Sequence, residues 1–370
     1  MAVEGVGSEL FSPARKDEIQ STHPVPGARC EICRGSPHSR GVLARHAGRI
    51  ALSRFPFGIP NTWYMVAYSD EIEAHAPMPL PYLGRDMVAF RDRRGDVTVL
   101  DGHCPHLGAR LATGGTCEEG TIRCPFHGWR FDETGRCVEV PYAKRIPENA
   151  RLRRHPVLER NGMVFVWHGV EGAEPFFEIP VIPEWKDPDW TDRWMKFEWT
   201  INTHPQEISE NGVDIQHFES VHLMEPVKSF ELRFDGPRYF WSTGVRKDLE
   251  MDSDYSDDFT MHGENHGIAY SLIRHRGRFN TIAITNFTAI DRETVCLKMG
   301  VLAERGDQDS ETFEAELALY MNEHAKVAEQ DFAIWEHKRY EPNPKLVDSE
   351  KLIAEHRVWA RQFYADEASR

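Results

Sequence analysis

The stretch Cys104-Pro105-His106-Leu107-Gly108-Ala109 and the stretch Cys124-Pro125-Phe126-His127-Gly128-Trp129, with 17 residues between His106 and Cys124, decide how this chain folds. Each arm brings one thiol and one imidazole. Zinc is the first alternative, but structural zinc sites mostly pair cysteines as C-x-x-C, and neither arm does. The mixed pairing suits a [2Fe–2S] centre with two thiolates on one iron and two imidazoles on the other. Neutral imidazoles in place of two anionic thiolates make such a site less negative, raise its potential and ease its reduction. Gly108 and Gly128 let backbone amides come close to the cluster sulfurs.

Working outward, short runs rich in β-branched and aromatic residues flank both arms: WYMVAYS from Trp63, MVAFRD, VTVLDG, TIRCP, WRFD, CVEVPY and MVFVWHG. Turn signals at Arg94-Gly95-Asp96, Thr134-Gly135 and Asn161-Gly162 separate them. The pattern predicts a small all-β domain of antiparallel strands over 59–170. The Pro-rich EGAEPFFEIPVIPEW reads as a linker. Further strands are expected in WMKFEWTI, RYFWSTGV, IAYSLI, FNTIAITNF and VCLKMGVL, with a helical interruption near 205–222. A helix is expected from about 310 to 340, because Phe313, Leu317, Tyr320, His324, Ala328, Asp331 and Trp335 recur at three- and four-residue steps. The fold class is therefore α+β, with a second domain over 171–370. Residues 1–58 read as a poorly ordered extension holding Cys30 and Cys33, half of a zinc site at most.

Composition sets outer limits. The chain has 370 residues, 40% of them hydrophobic, enough for a large core. With 59 acidic against 44 basic residues its formal net charge is -15, a poor match for nucleic acid or anionic membranes. No window approaches the roughly 18 apolar residues of a membrane-spanning helix, and the N-terminus lacks a secretory signal pattern. Seven cysteines argue against a disulfide scaffold. The expected location is cytoplasmic.

A cluster that only carries electrons leaves open where they go. The segment EISENGVDIQHFESVHLME offers Asn211, Asp214, His217 and His222 in the spacing N-x-x-D-x-x-H-x-x-x-x-H. On a regular helix His217 and His222 lie about 140° apart, so both can meet one ion only if the helix distorts or ends near Glu219–Val221. The alternative is a polar helix with two unrelated histidines. Two imidazoles and a carboxylate form the facial triad of non-haem Fe(II) oxygenases, with positions left open for water, O₂ and substrate. Asp331 fits as the carboxylate because it falls on the apolar stripe of the late helix; a salt bridge is its other reading. Glu329 and Glu336 lie off that stripe. Asn211 supports the site or caps the helix.

Through CPHLGA and CPFHGW the chain resembles the Rieske family. Respiratory members carry an extra cysteine in each box, where this chain has Ala109 and Phe126, which points to the oxygenase branch. HPQEISENGVDIQHFESVH resembles the cholesterol 7-desaturases, and QDFAIWEHKRYEPNPKL with RVWARQFY resembles the 3-ketosteroid 9α-hydroxylases. The resemblance implies a Rieske [2Fe–2S] domain (ligands Cys104, His106, Cys124 and His127) followed by a helix-grip-like catalytic domain. There, mononuclear Fe(II) is held by His217, His222 and Asp331. It implies a monooxygenase in which O₂ and electrons from NAD(P)H, delivered by a separate ferredoxin or flavin/iron–sulfur reductase, oxidise a sterol or steroid. It further implies a homotrimer in which the Asp214 side chain bridges the catalytic histidine to a neighbour's cluster histidine, and an enzyme without the membrane anchor of animal members. Ring hydroxylation, C7 desaturation, C4-methyl oxidation and oxidation of a smaller aromatic stay open. Val221, Met224, Phe240, Trp241, Ile284, Phe287 and Met299 are pocket candidates, though each taken singly reads as core before substrate contact.

Overall fold

The computed structural model describes residues 53–224, 227, 229–245, 259–305 and 310–364. Cys30 and Cys33 lie outside them, as does most of the segment expected to be an extension. Arg54 and Phe55, grouped with that extension by sequence, are tied down. Phe55 is buried, and the Arg54 guanidinium donates to the carbonyls of Glu336 and Asn202.

The N-terminal part is built of short antiparallel strands. In chain order they are β1 (Thr62–Tyr68), β2 (Met78–Leu80), β3 (Met87–Arg91), β4 (Val97–Asp101), β5 (Thr116–Glu118), β6 (Thr121–Arg123), β7 (Arg130–Phe131), β8 (Cys137–Glu139), β9 (Val157–Arg160) and β10 (Met163–His168). They form sheets in the orders β1-β10-β9, β2-β3-β4 and β5-β6-β7-β8. The β9–β10 hairpin turns on Asn161 and Gly162, with φ of 56° and 74°. Positive φ at both central residues is what a two-residue turn needs to match strand twist, and Asn-Gly tolerates it best.

The C-terminal part comprises β11 (Met195–Ile201), α1 (Pro205–Asn211), α2 (His217–Ser220), β12 (Phe230–Asp235), β13 (Arg238–Val245), β14 (Phe259–His266), β15 (Tyr270–Arg276), β16 (Thr281–Ala289), β17 (Val295–Ala303), α3 (Ser310–Glu329), α4 (Phe332–His337) and α5 (Lys351–Ala360). The seven strands make one antiparallel sheet, ordered β11-β17-β16-β15-β14-β13-β12. Together with the covering helices this is the expected α+β fold.

Alternation along each strand gives the sheet two faces. On one, Ala283, Met299 and Val301 pack under Phe313, Leu317, Tyr320 and Met321 of α3. Tyr239 and Trp241 on the same face share a cluster with Ile208 of α1, Trp335 of α4 and Trp359 of α5. On the other face, Tyr270, Leu272, Ile282 and Ile284 pack against Trp63, Met65 and Phe165 of β1 and β10. The Pro-rich segment read as a linker is part of this second core: Ile179 and Ile182 are buried and Trp185 stacks on Trp194.

The late helix differs from its expected form. It breaks at Gln330 and Asp331, where the amides bond three residues back, to Val327 and Ala328, before α4 resumes. No Pro or Gly marks the break, so tertiary contacts impose it.

Three histidines inside the C-terminal core and its seam are held neutral by burial. His356 is pushed down to about 3, and His204 and His168 to about 4. An unfolded histidine titrates near 6.5, so between these values the unfolded chain binds more protons. Stability is therefore complete above about pH 6.5 and falls as pH drops, by roughly 1.4 kcal/mol per pH unit for each such group. Urea midpoints at pH 7.5 and pH 5 check this; an equal or higher midpoint at pH 5 contradicts it.

Candidate metal centres

The two Cys–His arms fold into near-identical loops. The Cys104 amide donates to Ala109 O at 2.8 Å and Gly108 N donates back to Cys104 O at 2.9 Å. In the second loop, Cys124 N reaches Trp129 O at 2.8 Å and Gly128 N reaches Cys124 O at 3.1 Å. Both glycines take positive φ, 76° and 73°, which closes the loops at little steric cost. Cys104 and Cys124 are buried in one cluster. The His106 and His127 rings sit 4.8 Å apart, and His106 stacks on Trp129 at 4.6 Å. Trp129 is fixed in turn by its Nε1–H bond to the Tyr142 hydroxyl.

The donor set fits an iron–sulfur cluster. Burial pushes the Cys104 thiol up to about 12, so its thiolate would need a bound cation to be stabilised. His106 Nδ1 is buried without a partner, as a ligating nitrogen would be before loading. Cys117 and Cys137 are buried thiols outside the loops. His103 is partly exposed and faces Asp86 at 3.8 Å.

The second constellation also assembles. His217, His222 and Asp331 place one ligand atom each within 4.8 Å of one another. Their side chains are only 10%, 5% and 9% exposed. The helical turn α2 ends at Ser220, where the sequence requires an end, and Leu223 takes a φ of 53° as the chain leaves the site. His222 Nε2 lies 3.5 Å and His217 Nε2 4.0 Å from the Asp331 carboxylate. Each histidine has its Nδ1–H occupied by an oxygen. His217 donates to the main-chain carbonyl of Asp214, and His222 to Gln330 Oε1 at 2.8 Å. This turns both Nε2 atoms toward the carboxylate, where they are the nitrogens that would bind a metal. Burial pulls the His222 imidazole down, but its bonds to Asp331 and Gln330 outweigh that and raise it overall.

Asn211 stands at the C-terminal end of α1, whose N-cap is His204, so it is not a helix-start cap. Its amide donates at 3.2 Å to both His217 Nε2 and Asp331 Oδ2. Asp214 holds His217 through its backbone oxygen and not, as the resemblance implies, through its side chain. The carboxylate itself accepts only from Gln216 N, at 3.3 Å, among the described residues. Gln330 is the residue sequence reasoning missed; its only signal is its place directly before Asp331. Glu329, off the apolar stripe, is exposed and accepts from Trp199 Nε1 at 2.9 Å.

Of the apolar pocket candidates, Trp241, Phe287 and Met299 lie on the helix-covered face, whereas Phe240 and Ile284 lie on the opposite one. A cavity of about 710 Å³ over β12–β15 is lined mainly from the face away from the triad helices, by Glu231, Arg233, Phe240, His262, Glu264 and Arg274, with Leu232, Trp241 and Gly263 also bordering it.

The architecture and the two donor sets together define a Rieske non-haem iron monooxygenase. A Rieske [2Fe-2S] domain model matches residues 62–152, and a 3-ketosteroid 9alpha-hydroxylase C-terminal domain model matches residues 166–364. The chain belongs to the 3-ketosteroid 9α-hydroxylase family of Rieske oxygenases. It is 32% identical to the oxygenase component of a 3-ketosteroid-9-alpha-monooxygenase from Rhodococcus rhodochrous, over 84% of this chain and 85% of that one. It is 32% identical to the same component from Mycobacterium tuberculosis (90% and 88% covered) and 30% identical to a cholesterol 7-desaturase of Bombyx mori (90% and 76%). Dicamba monooxygenase bound to dicamba shares the fold, with a TM-score of 0.70 at 18% identity over 84% of this chain and 99% of that one. No helix among the described residues is long and apolar enough to cross a membrane.

Proposed function

We propose that this protein is the terminal oxygenase of a steroid- or sterol-oxidising system. Cys104, Cys124, His106 and His127 hold the Rieske cluster, and His217, His222 and Asp331 hold the mononuclear iron. The metal supplies the binding and activation of O₂. The chain's own work is to keep both Nε2 atoms and the carboxylate converged, and to seat one C–H bond beside them without water.

The observation that supports the substrate class is a half-buried apolar wall. Phe197, Trp199, Ile273, Ala283 and Met299, with Thr285 among them, share the helix-covered face and stay half-buried, although the residues on either side of Ala283, Thr285 and Met299 are fully buried. Trp199 meets Phe332, next to Asp331, at 5.6 Å. A flat hydrocarbon skeleton matches such a wall, since burial of apolar surface contributes about 25 cal/mol per Å². The named relatives act on 3-ketosteroids and cholesterol, which points the same way. C7 desaturation is the second reading, favoured by the desaturase relative spanning most of the chain. Oxidation of a C4 methyl would use the same site with another C–H bond presented.

Asp214 links the centres across a subunit boundary in a head-to-tail homotrimer. Its support is the bond from His217 Nδ1 to the Asp214 main-chain oxygen, which keeps this residue beside the triad. NAD(P)H is the electron source, through the reductase. The test is turnover of a panel of sterols, 3-ketosteroids and arenes with a surrogate reductase, read by mass spectrometry. A gained oxygen marks hydroxylation, two lost hydrogens mark desaturation, and a carboxylated methyl marks C4 attack. Turnover confined to arenes would refute the steroid assignment.

A further inference from the structure

We infer that Gln330 is a positioning residue for the mononuclear centre, acting through His222; this rests on the triad reading above. Neutral imidazole has one N–H and one lone pair, and the partner of one nitrogen decides which atom is left to bind a metal. For His217 that partner is the main-chain carbonyl of Asp214, which no substitution removes. For His222 it is the Gln330 side chain, with Nδ1–H donating to Oε1 at 2.8 Å. The two histidines are thus held by the same kind of oxygen, one built into the backbone and one supplied by a replaceable side chain.

The helix break explains how Gln330 reaches. Neighbours on a regular α-helix point about 100° apart, so Gln330 and Asp331 would diverge in an unbroken helix. At the junction of α3 and α4 their amides bond three residues back, and both side chains turn to one group. Asp331 meets His222 Nε2 at 3.5 Å while Gln330 meets Nδ1 on the far edge of the same ring. The ring is gripped at both nitrogens by consecutive residues, so its rotation is fixed before metal arrives. Without the Gln330 oxygen, the imidazole can flip or take the other tautomer, which points an N–H at the metal position.

The test compares Gln330→Leu and Gln330→Glu with the parent protein, prepared with cluster intact and mononuclear iron removed. Fe(II) affinity is measured by titration, and the ligand-field spectrum of Co(II) at the same site reports its geometry. Gln330→Leu is expected to weaken Fe(II) binding about ten- to one hundred-fold, as loss of such an outer partner does, and to alter the Co(II) spectrum. Gln330→Glu keeps an acceptor oxygen at the same reach and is expected to hold affinity within about three-fold. Gln330 is exposed, so neither change opens a core cavity, and the cluster's visible spectrum verifies the fold. Parent-like affinity in Gln330→Leu overturns the inference, as does equal loss in both variants. His217→Ala run alongside separates the two claims: if it too leaves Fe(II) affinity unchanged, the triad reading fails; if it alone loses iron, only the Gln330 inference does.

Discussion

His217→Ala is expected to lose the mononuclear iron and all measurable turnover while keeping the full red-brown Rieske spectrum. Total iron per chain should fall by about one third, since the cluster holds two of three. The physical ground is the separation of the donor sets. His217 belongs to a three-residue set in which each ligand atom has its own fixing contact, and removal of one imidazole leaves two donors. The cluster loops rest in a core of their own, where Val88, Phe90, Leu111, Ile122 and Phe131 pack around Cys104 and Cys124. His217 takes no part in it. Iron analysis together with the visible spectrum checks this, and simultaneous loss of both signals would mean that the centres are not independent.

The reciprocal variant has the larger optical effect. Cys124→Ala is expected to bleach the protein and remove about two thirds of its iron, with turnover abolished when electrons come through a reductase. Cys124 is buried beside Cys104, and no other described thiol lies on either loop to replace it. Steroid binding, measured by titration without turnover, should persist, because the half-buried wall lies on the helix-covered face of the other sheet. A variant that kept its cluster absorbance would show that Cys124 is not a ligand.

Much of this was legible in the chain. The cluster loops were, because metal chemistry demands those residue types at that spacing. So was the end of the helix near Val221, which follows from asking two histidines to face one point. Asp331 was legible because an acid on an apolar stripe needs a reason. The break beside it was not, since Val327–Phe332 carries no Pro or Gly and only the pull of His222 and Asn211 bends it. β14 escaped because Gly263, Glu264 and Asn265 are poor strand formers; the glycine is there because a Cβ would fall 2.0 Å from the Trp241 ring. The grip of Asp214 on His217 is a backbone contact, and spacing carries no trace of such a bond. The buried strap around Ile179 reads as a linker because its prolines hide the two residues that anchor it.

The second core, in which Trp63 and Phe165 interlock with Tyr270 and Ile284, has a mechanical consequence. Interdomain swinging is the default where two folded halves share a small polar contact, and it is suppressed where they share one hydrophobic interior. Here the electron-carrying half and the oxygen-using half are welded along β1, β10 and the large sheet, with the Lys298–Glu198 pair clasped at 2.6 Å beside that seam. The catalytic cycle therefore cannot be clocked by one half closing over the other; its timing has to come from ligand arrival and from small local rearrangements around the metals.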